Sequence, residues 1–491
     1  MKQSLESHFE KYRQNTIGYN YEYQGPYGML KLVYADWIAS GRLYSPIEKR
    51  ITDFIGPFVA NTHTESNATG TLMTDAYHFS REVIKKHVNA SPDDVLIATG
   101  FGMTAAIVKL QRILGLKLCG KLMGTDCLEK SERPVVFVTH MEHHSNQTSW
   151  YETIADVVII EPDSNMQVDL NDLEDKLKKY ASRKIKIGSF TACSNVTGVH
   201  TPYHKMAKLM HQFGGLCFID FAASAPYEPI NMHPEDEEER LDAIFFSPHK
   251  FLGGPGSSGI LIFHKSLYKS KTPDQPGGGT VEWTNPWGEY QYINDIEVRE
   301  DGGTPGFLQC MRAAYAILLK NQMNPELMIE REKQLLSIAF PELRKINGLK
   351  ILADQIINRL GVISFYIGDL HYNLIVKLLS DRFGIQVRGG CACAGTYGHY
   401  LLEVSHEKSK NITSLISSGD LSQKPGWVRL SLHPIMTDDE LMFIINAIKE
   451  VEANYQLWKN DYDYDRKTNE FSHKEFKDCS RPIVENWFTL V

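Results

Sequence analysis

Short, nearly continuous apolar runs recur through the first two thirds of the chain, and stretches with helical spacing separate most of them. Residues 94–99 read as a strand, a glycine-rich turn follows, and 104–114 carry the apolar spacing of a helix. Further strand-like runs stand at 134–140, 156–161, 185–191, 216–221, 243–247 and 259–264. Runs without polar alternation are expected where helices cover both faces of a mostly parallel sheet. Strands separated by helices imply right-handed crossovers and an α/β unit, with its ligand crevice beyond the carboxyl ends of the strands.

Near residue 325 the pattern changes. A helical stretch at 307–322 gives way to a second one beginning at Pro325, and then to a smaller α+β unit with candidate strands at 361–367, 385–387 and 427–432. Thr437-Asp-Asp-Glu440 has the form of a capping box and predicts a helix running to about residue 452. The expected organisation is an N-terminal segment 1–50 packing on the small unit, a large domain 51–322, a small domain 323–459 and a tail 460–491. The acidic run Glu235–Arg240 reads as a solvated loop or helix end. No internal repeat is visible.

Composition narrows the function classes. A chain of 491 residues, 42% hydrophobic, is long enough for two or three domains with a large core. A net charge of -8 argues against a nucleic-acid binder or a basic membrane-surface protein. The first residues lack the apolar core of a signal peptide, and no apolar run is long enough to span a bilayer, so a cytoplasmic location is expected. Eight cysteines (119, 127, 193, 217, 310, 391, 393, 479) without repeated disulfide spacing read as reduced thiols.

Chemistry gathers where strands are expected to end. In Ala243-Ile-Phe-Phe-Ser-Pro-His-Lys250-Phe-Leu-Gly-Gly, an apolar strand delivers Ser247, His249 and Lys250 and then breaks into a glycine-rich turn. Partial burial there would lower the lysine pKa and free the amine for a Schiff base with an aldehyde. The turn Gly100-Phe-Gly-Met103-Thr104 joins a strand to a helix, so its N–H groups and the Thr104 hydroxyl suit a phosphate. His143 follows a strand and offers a flat ring. Asp220 ends a strand and can pair with a protonated pyridine nitrogen. Each also has a plain reading: a snorkelling lysine, a hydrogen-bonded loop histidine, a helix N-cap aspartate.

The ordered set Gly-x-Gly-x-Thr104, Glu142-His-His-x-Asn146, Ser-Asn195-x-x-Gly198, Asp220-x-Ala and Ser247-x-His-Lys250 resembles the class V aminotransferase family of pyridoxal-phosphate enzymes. Within that family it is most similar to the cysteine desulfurase and selenocysteine lyase branch, over roughly residues 30–450. The resemblance implies the type I fold of these enzymes, a large and a small domain, in a homodimer. It implies that Lys250 carries pyridoxal 5'-phosphate, His143 stacks on its ring, Asp220 pairs with the ring nitrogen and Asn195 contacts the ring oxygen. Met103, Thr104, Ser247 and His249 match phosphate-binding positions. Thr304 matches a threonine lent to the partner subunit's phosphate. Where the family often has Asp-x-Ala-Gln, this chain has Asp220-Phe-Ala-Ala223-Ser224, so Ser224 or water is expected to serve instead.

Val387-Arg-Gly-Gly-Cys-Ala-Cys-Ala-Gly395 resembles the segment that carries the catalytic cysteine of desulfurases, which places the nucleophile at Cys393 with Arg388 nearby. Cys391 is left as a spectator, a resolving thiol or a second acceptor. A metal site is not expected, because no second pair stands at zinc-ligand spacing. Arg429 matches the arginine that clamps the substrate α-carboxylate. The implied reaction takes sulfur from L-cysteine: Lys250 removes the α-proton, Cys393 attacks the sulfur and keeps it as a persulfide, and alanine is released, with a protein as the possible sulfur acceptor. The alternatives are an aminotransferase, C–S β-lyase or epimerase with Cys393 not catalytic, and a non-catalytic binding protein of the same fold. The polar segment 403–426, between Cys393 and Arg429, is expected to form a lid.

Overall fold

A computed structural model describes residues 4–62, 64–117, 128–476 and 480–490. Seven strands build the large sheet: β1 (Asp94–Thr99), β2 (Val135–Thr139), β3 (Asp156–Ile160), β4 (Lys186–Thr191), β5 (Leu216–Asp220), β6 (Ala243–Phe246) and β7 (Gly259–His264). Their spatial order is β1-β7-β6-β5-β4-β2-β3. β2 through β6 pair in parallel, while β7 runs antiparallel to both β6 and β1. The expected crossover between β6 and β7 is therefore absent. Their link holds only the single 3₁₀ turn Pro248–Lys250, too little chain to return to the starting edge of the sheet.

Continuous apolar runs form these strands because both faces are dry. Leu96, Phe137, Phe190, Ile219, Ile244 and Ile262 enter one buried cluster, with the helices α1 (Ala68–His87), α4 (Leu170–Lys179), α5 (Tyr203–Gln212) and α6 (Phe307–Met323). Their neighbours Val95, Val136, Phe218, Phe245 and Leu261 point the other way and pack with α2 (Met103–Ile113) and with Trp150 of α3 (His144–Tyr151). Truncating a fully buried residue such as Phe137 to alanine is expected to cost about 3–5 kcal/mol.

The second unit is a four-stranded antiparallel sheet of β8 (Leu349–Ile351), β9 (Val362–Ile367), β10 (Arg388–Gly390) and β11 (Trp427–Ser431), ordered β8-β9-β11-β10. It packs with α7 (Pro325–Arg344), α8 (Tyr372–Phe383) and α11 (Asp438–Trp458). Ile385–Gln386, expected as one of its strands, pairs instead in parallel with Val33–Tyr34 of the N-terminal segment. The N-cap half of the capping box forms, with Thr437 Oγ1 accepting from Glu440 N–H at 2.9 Å, and the helix continues to Trp458. Between β10 and β11 lie α9 (Gly395–Leu401) and α10 (His406–Ser417).

The tail folds where no elements were anticipated, into a hairpin Tyr462–Asp465/Glu470–His473 followed by helix Ser480–Trp487. Cys193, Cys217, Cys310, Cys391 and Cys393 are free thiols, and Cys119, Cys127 and Cys479 lie outside the described residues. Among the described residues no helix is long and apolar enough to cross a membrane.

Candidate active site

The ends of the parallel strands converge on a cavity of about 610 Å³. Thr191 and Asp220 end β4 and β5, Ser247, His249 and Lys250 follow β6, and Gly102–Thr104 open α2 after β1. His143 and Ser145 enter after β2. From the other side come Ile38 and Ala39 of the N-terminal segment, Arg388 of β10, Ala392 and Cys393 of the following turn, and Arg429 of β11. Of the residues read from the sequence, three do not line this cavity: Thr304, which is exposed in the turn before α6, Ser224 and Cys391.

Burial sets the charges. It pulls the half-buried Lys250 amine down to about 8; Arg429 and Arg388 push the same way, and Asp220 and Asp36 oppose them. Burial raises the Asp220 carboxyl to about 6, against the Ala222 N–H bonded to its Oδ1 at 2.8 Å and the Lys250 cation. His143 is held down to about 3 by burial and by Lys250, His144 and Arg429, so the ring is neutral at physiological pH. Its Nδ1 accepts from Ser145 N–H at 3.1 Å, which puts the ring proton on Nε2. His249 is lowered to about 4, again by burial and then by Lys250.

At the α2 end, Met103 N–H donates to Ser247 Oγ at 2.9 Å, and Thr104 Oγ1 lies 2.7 Å from Ser145 Oγ. A Cβ on Gly102 would stand 3.0 Å from Ser247 Oγ and 3.5 Å from the His249 ring, so glycine keeps this cradle open. Asn195 Nδ2 gives one hydrogen to Ala392 O at 2.8 Å and keeps a second, while its Oδ1 is buried without a partner. The residues fit pyridoxal phosphate: a cradle at a helix N-terminus for phosphate, a carboxylate for the ring nitrogen, a neutral imidazole and a poised amine. Ser224, expected to replace the usual glutamine, does not line the cavity. Ala223 does, and the Ser224 hydroxyl is buried without a hydrogen-bond partner.

Arg429 is 3% exposed; its NH2 reaches Asp36 Oδ1 at 2.8 Å and its NH1 the Asn195 carbonyl at 3.2 Å, while Nε has no partner. Arg388 Nε meets the other oxygen of Asp36 at 3.0 Å. Asp36 thus orients both guanidinium groups. The sequence reading missed it, because a single acid in Val33-Tyr-Ala-Asp36 carries no local motif and its partners are more than 350 positions away.

The Cys391–Ala394 turn separates the two thiols. Cys393 is exposed and lines the cavity; Cys391 is half-buried, packs against the large core and does not line it. Ala392 and Cys393 both adopt left-handed backbone, with φ of 50° and 56°. The strain of such a turn, about 1–3 kcal/mol per residue, is offset by docking onto α3. There His144 N–H donates to Cys393 O at 2.7 Å, Gly395 N–H donates to His144 Nε2 at 3.0 Å, and Thr396 Oγ1 donates to Gln147 Oε1 at 2.9 Å. No residue of the segment 403–426, expected as a lid, lines the cavity. The α9 helix before it packs on the large unit instead, where Tyr400 bonds Glu161 and stacks edge-on with His140.

Comparison with known proteins agrees with this arrangement. The chain is 28% identical over 368 residues to a probable cysteine desulfurase of Halalkalibacterium halodurans, covering 74% of this chain and 84% of that protein. It is 25% identical over 426 residues to one of Staphylococcus aureus, covering 86% and 92%. Among solved structures, a cysteine desulfurase of Thermococcus onnurineus superposes with a TM-score of 0.71 at 21% identity, over 91% of this chain and 98% of that one. The cysteine desulfurase CsdA of Escherichia coli gives 0.66 at 21% identity, over 87% and 96%. These superpositions place the fold among the type I architectures of such enzymes. With residues 33–443 matching the model of aminotransferase class V, the chain belongs to that family.

Proposed function

We propose that this protein is a pyridoxal-phosphate-dependent cysteine desulfurase, which removes sulfur from L-cysteine onto Cys393 and releases alanine. The observation that carries the reading is the entry of Cys393 into the one cavity that also holds Lys250, Asp220 and Arg429. The names of the relatives in Halalkalibacterium halodurans and Staphylococcus aureus support it.

Bound there, the cofactor would supply an electron sink for the charge left at the substrate α-carbon. Asp220, ionised above about pH 6, would hold the cofactor's protonated ring nitrogen. The cradle of Met103, Thr104, Ser247 and His249 would hold its phosphate, and the neutral His143 ring would be its aromatic neighbour. Arg429 and Arg388, oriented by Asp36, bind the substrate carboxylate. Lys250, unprotonated above about pH 8, takes the α-proton. The Cys393 thiolate attacks the substrate sulfur: an S–S bond forms, the Cβ–S bond breaks, and the persulfide stays on Cys393 while the carbon skeleton gains protons and leaves as alanine. A sulfur-accepting protein then takes the sulfane sulfur, in a reducing compartment such as the cytoplasm. The family resemblance assigns Thr304 to the phosphate site of a second copy in a homodimer, and its exposure outside its own chain's cavity is compatible with that role.

Incubating the purified protein with single amino acids in the presence of a thiol reductant tests the reading. Alanine and sulfide in equal amounts from cysteine are expected. A keto acid or a racemised amino acid without alanine would contradict it.

A further inference from the structure

The hairpin Tyr462–Asp465/Glu470–His473 lies beyond the family match, which ends at residue 443, and none of its residues lines the catalytic cavity. It is nevertheless joined to the strands that carry the substrate-binding arginines. Asn469, 6% exposed and in left-handed backbone (φ 63°), turns its polar groups onto the start of α8. Its Nδ2 donates to Tyr372 OH at 2.7 Å, and its backbone oxygen accepts from Asn373 Nδ2 at 2.7 Å. Its Oδ1 accepts from Tyr464 OH at 2.8 Å and from His371 Nε2 at 3.1 Å. The histidine's Nδ1 already accepts Asn373 N–H, which leaves the ring proton on Nε2.

Tyr372 then acts as a wedge. Its hydroxyl donates to Lys424 O at 3.2 Å. Its ring stands where side chains at Gly426 and Gly389 would be: a Cβ at Gly426 would lie 2.6 Å from the ring, and one at Gly389 3.1 Å. Those glycines belong to or adjoin β10 and β11, whose antiparallel register sets Arg388 opposite Arg429, and β10 leads directly into the Cys391–Ala394 turn. A shift of the ring has no slack to absorb it before it reaches these strands, because the contact is glycine backbone on aromatic carbon. The hairpin also grips the chain between Cys393 and Arg429, where Leu421 N–H donates to Arg466 O at 2.9 Å.

We propose that the C-terminal hairpin is a brace in which Asn469, acting through Tyr372, is a positioning residue for the strand pair bearing Arg388 and Arg429 and for the turn bearing Cys393. The substrate side of this inference rests on the desulfurase reading; the thiol side does not.

Full-length Asn469→Ala, Tyr372→Ala and Tyr372→Phe test it, compared with the parent by KM and kcat for cysteine, by the rate of Cys393 alkylation with iodoacetamide and by pyridoxal-phosphate affinity. Asn469→Ala and Tyr372→Ala should raise KM about tenfold and change the alkylation rate at least about threefold, with cofactor affinity within about twofold, as a small displacement of binding groups does. Tyr372→Phe, which keeps the ring, should show less than half of that effect on a logarithmic scale and stays informative if either alanine variant fails to fold. Altered alkylation in a protein that does not turn over cysteine would uphold the brace and count against the desulfurase reading. Unchanged KM and alkylation in both alanine variants would overturn the brace. So would a parallel fall of KM-derived affinity, alkylation and cofactor binding in step with lost thermal stability.

Discussion

Lys250 and Asp36 show how single residues set this site. The amine of Lys250 is poised near neutrality because burial outweighs the attraction of Asp220 and Asp36. A lysine lowered to about 8 is protonated and unreactive below that pH and becomes a nucleophile above it. The rate at which cofactor-free protein takes up pyridoxal phosphate should therefore rise with pH and reach half its maximum near pH 8. Stopped-flow absorbance across pH 6.5–9.5 checks this, and a rate that climbs only near pH 10 would show an ordinary lysine. Lys250→Ala should remove covalent attachment altogether, read by borohydride reduction and peptide mapping. Asp36→Asn should move that midpoint downward, since a charge that raises the Lys250 pKa is gone. It should also raise KM for cysteine about tenfold or more, because Arg429 is then left buried without its counter-charge. An unchanged KM would remove Asp36 from the substrate clamp.

At the scale of elements, the turn after β10 presents one thiol and hides the other. Cys391→Ala should thus keep at least about half of the parent activity, whereas His144→Ala should loosen the turn. Losing the acceptor for Gly395 N–H costs about 0.5–1.5 kcal/mol and should speed alkylation of Cys393 several-fold. Alkylation no faster than in the parent would mean that His144 is not what holds the turn. Which elements were legible follows from what a local pattern can carry. All seven strands of the large sheet stood out, because a strand covered on both faces is mostly apolar without a regular polar alternation. The direction of β7 did not, since apolarity says nothing about orientation and the short link Pro248–Lys250 was the only clue. The motifs at Lys250, Asp220, His143 and Cys393 sit at strand ends or tight turns, and it was the resemblance of their ordered set to one enzyme family that assigned them to a single site. Asp36 depends on partners across the whole chain. The Tyr-Asp-Tyr-Asp hairpin alternates like an exposed strand but lacks apolar weight, and the polarity of 403–426 did not tell a lid from a buttress.

Across the whole molecule, the buried histidines make the fold sensitive to acid. His140, His143, His249 and His433 are held at about 4, 3, 4 and 3, each chiefly by burial, whereas the unfolded chain protonates them near 6.5. Depressed values stabilise the folded state above pH 6.5, and that contribution is lost as pH falls below it. Glu142, raised to about 8, and Asp220, raised to about 6, act in the opposite sense over the same range. His87, His144 and His371 are lowered as well, and Glu332 and Glu440 raised, so the depressed histidines outnumber the raised carboxyls and the cofactor-free protein should lose stability between pH 6.5 and 5.5. Denaturant midpoints at those two pH values measure it, and a protein more stable at 5.5 would contradict the assignment. The same packing of two units around one cavity underlies the central claim, that a thiol from the small sheet meets strand-end chemistry from the large one. The most direct measurement is alanine and sulfide production from cysteine by Cys393→Ala beside the parent, with mass spectrometry of the trapped parent for a persulfide. Activity should fall by at least about a hundredfold in the variant while its absorbance still changes on adding cysteine, and the parent should carry one extra sulfur on Cys393. Equal alanine production by the two proteins, with no persulfide on the parent, would contradict desulfuration.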